Sequence, residues 1–446
     1  MAKRILVLGA GLSATSLINY LLDHAVEYDW QVTVGDIEVE NARVKVNGHE
    51  CGHAISFNVE DENDVIHNIT DSDVVISFLP ARFHMIVAEA CIKLKKNMVS
   101  ASYVTPEMSA LDEAAKEAGI ILLNELGVDP GIDHMSAMRI IDKIKDEGGK
   151  LNGFWSSTGG LVAPEYDNNP WNYKFTWNPR NVIIAGQGTS KFIRNGMYKY
   201  IPYHELFRRV IKVSILDFGD FEIYPNRDSL KYRTTYGLQS IPTMYRGTIR
   251  RPGFCESWNV FVQLGATDDT FTLENSENMT YREFINTFLL YEENIAVETK
   301  LAKYMGIEEN SEIMDKLRWL GIFEDRKIGL VKATPAQIIQ QLLEEKWALD
   351  PEDKDMIVMR HFFEYTDKNK VEKQLCSTLV TYGDDQVNTA MAKTVGTPVA
   401  IATKLLLTGK IKLKGVHIPI KKELYEPILN ELEDYGIKFI EEEISL

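Results

Sequence analysis

The chain has 446 residues, 45% hydrophobic and 26% charged, the balance of a soluble globular protein with apolar material for roughly two to three domains. Its net charge of −16 argues against a nucleic-acid surface, which needs a basic face to neutralise phosphates. No apolar run approaches bilayer-spanning length, and the N-terminal run "MAKRILVLGAG" enters a glycine turn without a small-residue cleavage site, so no membrane partner and a cytoplasmic location are expected.

In chain order, "KRILVLGAG" reads as a buried strand and "SATSLINYLLDHAV" as a helix. "WQVTVGDI" is a second strand, and "DSDVVISFLP" another. "FHMIVAEACIKLK" is helical, "NMVSASYV" a strand, and "PEMSALDEAAKEAG" a helix capped by Thr105 with Pro106 at its first position; "IILLNELG" closes the series. Short apolar strands alternating with helices predict βαβ units and a parallel sheet. After the helical "MSAMRIIDKIKDEGG", the stretch 151–181 is rich in aromatics, Asn, Gly and Pro and reads as long loops beside strands. "KVSILDFGDFEIYPNRDS", "YRGTIRRPGF" and "SWNVFVQLGA" read as strands of a second, mixed or antiparallel sheet. From 280 to 349 the pattern is helical, with Thr334 and Pro335 as a cap and first-position pair. "DMIVMRHFFEYT" and "QLCSTLVTYGD" are a strand pair, and "TPVAIATKLLL" and "LYEPILNELEDYG" are helices.

The four cysteines, Cys51, Cys91, Cys255 and Cys376, are scattered without a CxxC, which predicts reduced thiols. His49, Cys51 and His53 alternate in "GHECGH", but a fourth ligand and a tight second pair are missing. The segment reads as a strand entry with exposed histidines, and no metal is expected.

"VLGAGLSA" places Gly9, Gly11 and Ala14 at the G-x-G-x-x-A spacing, directly after a strand and opening a helix. Gly9 would make the tight turn, Gly11 would admit a pyrophosphate to the backbone, and Ala14 would keep helix and sheet close, with Leu12 and Ser13 at the helix N-terminus. Asp36 ends the second strand about 20 residues on, where an acid binds a ribose hydroxyl. A dinucleotide lies outside the carboxyl ends of such strands, which adds Leu79, Pro80, Ala101 and Ser102 to the cofactor residues.

"GAGLSA", "VVISFLP", "SASYVTPEM", "NELGVDPGIDHM", "GGLVAPEYDNNPWNYKFTW", "YPNRDS" and "RGTIRRPGF" occur in an order that resembles the saccharopine dehydrogenases of the glutamate-forming type. That group includes the fungal saccharopine reductases and the reductase half of the animal bifunctional lysine-degrading enzyme. The likeness carries specific motifs to about Leu264 and is looser beyond. It implies an α/β fold: a Rossmann-type doubly wound parallel sheet over 1–128, a mixed α/β substrate and dimerisation domain over 129–278 and 351–395, a helical subdomain over 279–350, and C-terminal helices over 396–446 packing back on the Rossmann part. A homodimer is expected through the family alone.

The resemblance also implies a substrate. Saccharopine joins lysine and glutamate through a secondary amine and carries three carboxylates; oxidation gives an imine that water splits into glutamate and 2-aminoadipate 6-semialdehyde. Ser102, Tyr103, Asp129, Arg227, Thr248, Ile249 and Arg250 are implied as substrate contacts. Arg227 and Arg250 can each grip a carboxylate in a planar fork, and Asp129, fixed by Pro130 and Gly131, can meet a substrate ammonium. Asp129, Tyr103 and Lys174 are the candidates for proton handling, none standing out as an indispensable base; Lys174, beside Tyr173 and Trp177, can instead bind a carboxylate or be a solvated lysine. Glu125 reads as a satisfied structural acid, and His134 as a helix residue more often packed than catalytic. Two other readings stay open: a reductive coupling of an amine with a semialdehyde, as in carboxynorspermidine dehydrogenase, and a dinucleotide-binding sensor without catalysis. The fungal members prefer NADP and carry an arginine just beyond the second strand, whereas this chain has Asp36 there and no basic residue until Arg43, with Arg82 as another that could reach over. The animal enzyme, which also ends this strand with aspartate, uses NAD. The expectation is therefore NAD in preference to NADP.

Overall fold

The structure is a computed structural model that describes residues 2–185 and 187–444. Its strands are β1 Lys3–Leu8, β2 Trp30–Asp36, β3 Gly52–Ser56, β4 Val74–Ser77, β5 Asn97–Ser100, β6 Ile121–Leu123, β7 Lys150–Val162, β8 Ser190–Arg194, β9 Met197–Ile201, β10 Ile211–Ser214, β11 Asp220–Pro225, β12 Thr243–Arg250, β13 Asp355–Thr366, β14 Glu372–Tyr382, β15 Gly415–His417 and β16 Phe439–Ile444. They form two sheets, and the chain divides into two units. One comprises residues 1–151, 365–373 and 379–441, the other 152–364, 374–378 and 442–446.

The sheet of the first unit runs β15-β6-β5-β4-β1-β2-β3, and every adjacent pair is parallel. The order β6-β5-β4-β1-β2-β3 is that of a doubly wound dinucleotide fold, which reverses at β1 and β4. All of β4 and β6 and the last four residues of β1 are buried. Helices cover both faces of such a sheet, so its strands read as unbroken apolar runs. The helix Pro106–Ala110 begins as expected, with Thr105 Oγ1 accepting from the Met108 N–H at 3.2 Å. Near the other end of the chain, the helix Ala390–Leu407 packs against Thr15–Asp23, and β15 adds a short parallel strand beside β6.

The second sheet, of nine strands, runs β10-β11-β12-β7-β13-β14-β16, with the hairpin β8-β9 joined to it through β12. It is mixed: β12 is antiparallel to β11 and parallel to β7. Two expectations are corrected here. "SWNVFVQLGA" is not a strand but most of the helix Phe254–Leu264. Nine of its eleven residues are buried, and a short apolar run of Val, Phe and Trp cannot be told from a buried strand by periodicity alone. Residues 150–162, read as part of a loop region, form the long strand β7, whose glycines are close-approach sites: a Cβ on Gly159 would lie 2.6 Å from the Ile249 carbonyl oxygen. Aromatic packing dominates this unit's core, where Trp171, Trp258, Phe254 and Tyr173 all surround the Trp347 ring.

Candidate functional site

At the end of β1 the chain turns on Gly9, where φ is +100° and an added Cβ would lie 2.6 Å from the Phe78 carbonyl oxygen. Only glycine fits there. Gly11 is different: its φ of −67° suits any residue, yet an added Cβ would meet nothing within 4 Å. That space would admit a phosphate, because the turn Leu12–Ala14 and the helix Thr15–Asp23 follow at once and direct free amides and a positive dipole end toward it. Leu12 is exposed, Ser13 half-buried and Ala14 buried against the sheet. This chain thus fits a dinucleotide by its backbone. Leu79, Ala101 and Ser102 are half-buried and Pro80 exposed just past the ends of β4 and β5.

Asp36 does not stand free at the strand end. Its Oδ2 accepts from the Ala10 N–H at 2.8 Å, and its Oδ1 from the Glu38 N–H at 3.0 Å and Asn41 Nδ2 at 3.2 Å. The carboxylate braces the glycine turn. Arg43 is exposed and pairs with Glu40, and Arg82 lies over the Phe83 ring. Lys45, which sequence reasoning passed over, places its ammonium 2.6 Å from Thr15 Oγ1, in the first turn of the helix that follows the glycines. Burial lowers its pKa, and among the described residues it forms no ion pair with a carboxylate.

The ends of β4 and β5 carry a second arrangement. Ser102 donates its N–H to Ser100 Oγ at 3.1 Å, and its hydroxyl lies 2.6 Å from His84 Nε2. His84 Nδ1 lies 2.8 Å from Ser77 Oγ, and burial pushes the imidazole pKa down to about 4. Tyr103 donates its hydroxyl to Asp129 Oδ1 at 3.2 Å. The turn that follows β6 closes tightly: Gly127 donates to the Pro130 carbonyl at 2.8 Å, the Asp129–Pro130 peptide is cis, and Gly131 has a φ of +149°. Within it the acids divide by burial. Glu125 accepts from the Val104 N–H at 2.9 Å and lies 2.8 Å from His134 Nε2, while Asp133 accepts from the Gly131 N–H at 2.7 Å. All three are interior groups holding the turn; Asp129 is half-buried and meets Tyr103.

In the second unit, Arg250 at the end of β12 is 4% exposed. Its guanidinium is 5.1 Å from the Tyr173 ring centre, 5.8 Å from Tyr224 and 5.3 Å from Phe254. Its NH1 donates to the Ile249 carbonyl at 2.9 Å, its Nε is buried without a hydrogen bond, and no carboxylate pairs with it among the described residues. Thr248 is half-buried and Ile249 buried on the same strand. Arg227 is exposed, with a φ of +41° and no ion pair among the described residues. Lys174 is placed otherwise: its ammonium lies 3.1 Å from Asp350 Oδ2 and 2.5 Å from Asp353 Oδ2. Burial pulls its pKa down, but these two hydrogen-bonded carboxylates outweigh that and hold it above the ordinary value. His49, Cys51 and His53 do not converge: His49 Nδ1 accepts from the Cys51 N–H at 3.2 Å, and His53 Nε2 is 3.0 Å from Gln31 Oε1.

A parallel sheet reversing at a glycine turn, with hydroxyl and carboxylate groups at the strand ends, defines a Rossmann-type dinucleotide-binding protein. More particularly, the chain belongs to the saccharopine dehydrogenase family. Residues 5–123 match the family model "Saccharopine dehydrogenase NADP binding domain", and 127–437 match "Saccharopine dehydrogenase C-terminal domain". A Saccharomyces cerevisiae relative, saccharopine dehydrogenase (NADP(+), L-glutamate-forming), is 35% identical over 453 residues, covering 100% of both chains. The alpha-aminoadipic semialdehyde synthase of Arabidopsis thaliana is 36% identical over 94% of this chain but 41% of its own length. The chain spans less than half of such synthases and the whole of the fungal dehydrogenases. The solved apo structure of the L-Glu-forming saccharopine dehydrogenase from Saccharomyces cerevisiae aligns over 100% of both chains, with a TM-score of 0.91 and 33% identity.

Two expectations fall with these comparisons. Preference for NAD is corrected: the Saccharomyces cerevisiae relative and two further fungal relatives, each 33% identical, are NADP(+) enzymes by name. The expectation rests on Asp36 as a carboxylate free for a ribose hydroxyl. Both of its oxygens already hold donors from the protein, so it is a brace for the loop and its charge is partly offset. The cytoplasmic location is corrected as well, because the names of relatives from rat, cattle and mouse specify mitochondria. No helix among the described residues is long and apolar enough to cross a membrane, which bears on spanning and not on compartment.

Proposed function

We propose that the chain oxidises saccharopine with NADP to L-glutamate and 2-aminoadipate 6-semialdehyde, or runs the reverse reductive condensation, in lysine metabolism. The carrying observation is the end-to-end match to an L-glutamate-forming relative. Arg250 supports it chemically: a buried guanidinium with no carboxylate partner among the described residues calls for an anionic ligand. In this reading Arg250 and Arg227 receive substrate carboxylates, with Thr248 and Ile249 lining the approach. Ser102, Tyr103 and Asp129 meet the substrate around its amine, where Asp129 holds the positive charge and Tyr103 fixes the carboxylate's direction. The nicotinamide, when bound, supplies the hydride acceptor. Gly9, Gly11, Leu12, Ser13, Ala14, Leu79, Pro80 and Ala101 would hold the cofactor, while Asp36 braces their loop. Lys174, held by two carboxylates, is given a structural place in this proposal. A homodimer with no nucleic-acid partner completes it, and sedimentation in solution tests the dimer. Turnover is tested by absorbance of reduced nicotinamide with saccharopine and each cofactor; no turnover with either would overturn the reading.

A further inference from the structure

Ser77 closes β4 and pairs with Ser100 at the end of the neighbouring β5. Ser102 lies two residues beyond, and His84 opens the helix His84–Leu94. The imidazole spans the gap, with Nδ1 2.8 Å from Ser77 Oγ and Nε2 2.6 Å from Ser102 Oγ. Ser77 and His84 are 1% and 6% exposed, whereas Ser102 is half-buried. Of the three, Ser102 is thus the one a ligand can reach.

A neutral imidazole has one N–H and one lone pair. The two serine contacts are therefore complementary: whichever nitrogen donates, the other accepts, and since a serine hydroxyl can do either, both tautomers anchor the Ser102 oxygen at Nε2. We propose that His84 is a positioning residue for the dehydrogenase reaction, aiming the Ser102 hydroxyl at the bound substrate through Nε2. The inference rests on the reading of Ser102 as a substrate contact. The competing role is purely structural, with His84 tying its helix to β4 through Ser77. Each role uses a different nitrogen, so the two can be separated.

A glutamine amide reaches the place of Nε2, and an asparagine amide that of Nδ1. His84→Gln therefore keeps the Ser102 contact and loses Ser77, and His84→Asn does the reverse. Displacing a reacting-site group by about an ångström costs up to roughly a hundredfold in rate. His84→Ala and His84→Asn should lose roughly tenfold to a hundredfold in kcat on that basis, with NADP affinity unchanged, and His84→Gln should recover most of the loss. Ser77→Ala should keep kcat within a few-fold, which leaves a measurement even where His84→Ala does not fold. Full activity in His84→Asn, or His84→Gln no better than His84→Ala, overturns the inference. Ser102→Ala is the separate check: unchanged saccharopine kinetics there would remove Ser102 from the site and the inference with it, whereas impaired kinetics with the wrong Gln/Asn pattern would sink the role of His84 alone.

Discussion

A guanidinium enclosed by the rings of Tyr173, Tyr224 and Phe254, and hydrogen-bonded among the described residues only to a carbonyl oxygen, favours binding over stability. Replacing a buried charge by an apolar side chain of similar volume is often neutral or stabilising, by about 1–4 kcal/mol where it stabilises. Arg250→Met should therefore melt no lower than the parent while its saccharopine KM rises at least roughly tenfold to a hundredfold, the loss of a charged hydrogen bond of about 1.5–3 kcal/mol. A lower melting point with unchanged KM would place Arg250 among structural groups. Arg227→Lys is milder, since the exposed Arg227 loses its planar fork and keeps its charge. Its saccharopine affinity should drop while NADP titration is unmoved, and unchanged affinity would take Arg227 out of the site. His84 adds an acid response. Its folded pKa, about 4, lies below the ordinary 6.5 because of burial, so between those values the unfolded chain binds more protons. Stability is then full above about pH 6.5 and falls as pH drops toward 4, by on the order of 3 kcal/mol. Urea unfolding of the parent and His84→Gln at pH 7, 5.5 and 4.5 reads this directly. The parent should lose more stability than the variant, and parallel losses would assign the acid response elsewhere.

At the scale of elements, the glycine turn separates two functions that one motif joins. Gly9→Ala sets a Cβ against the Phe78 carbonyl at a positive φ, so it should lower the melting point and cofactor affinity together. Gly11→Ala has open space and an ordinary φ; it should fold as well as the parent, or up to about 1 kcal/mol better, yet bind NADP more weakly because the methyl occupies phosphate space. Melting curves with and without NADP distinguish them, and normal NADP affinity in Gly11→Ala would move the pyrophosphate elsewhere. This turn was legible in sequence because its spacing carries a mechanism, and so were the caps at Thr105 and Thr334, whose side chains accept from Met108 and Gln337. The helix Phe254–Leu264 was not, since its short run of buried aromatic and β-branched residues reads equally as a buried strand. The strand β7 was hidden by glycines that serve close packing rather than flexibility, Gly159 against Ile249 of β12 and Gly153 against the Trp155 ring and Glu364. Asp36 was found but misread, because the donors that occupy it lie on the glycine loop and on Glu38 and Asn41. His84 left no mark at all: the groups it joins, Ser77 and Ser102, have no spacing that predicts their meeting.

Across the whole molecule, the dinucleotide loop at the N-terminal end depends on residues near the C-terminal end. The segment 379–441 belongs to the same unit as residues 1–151. It supplies β15 beside β6, an ion pair of Lys404 with Glu431, which also accepts from the Tyr20 hydroxyl, and Asn430, which accepts from Arg139 at 2.7 Å. A close backbone approach in this return is Gly396, in the helix Ala390–Leu407. An added Cβ would lie 2.7 Å from the Leu17 nitrogen and 3.2 Å from the Ser13 carbonyl oxygen. Both are backbone atoms at the start of the helix that directs its amides at the phosphates, so neither can swing aside as a side chain could. Gly396→Val therefore has to move that helix start or the helix Ala390–Leu407, an overpacking cost of about 1–3 kcal/mol. The displacement reaches the loop Leu12–Ala14 but not Arg227 or Arg250, which lie in the other unit. NADP affinity should fall severalfold or more, while binding of a saccharopine carboxylate analogue, followed by calorimetry without cofactor, stays within a factor of two. If instead the melting point drops and NADP binds as tightly as before, the helix start has held its place, and the C-terminal return supports the fold without setting the geometry of the cofactor loop.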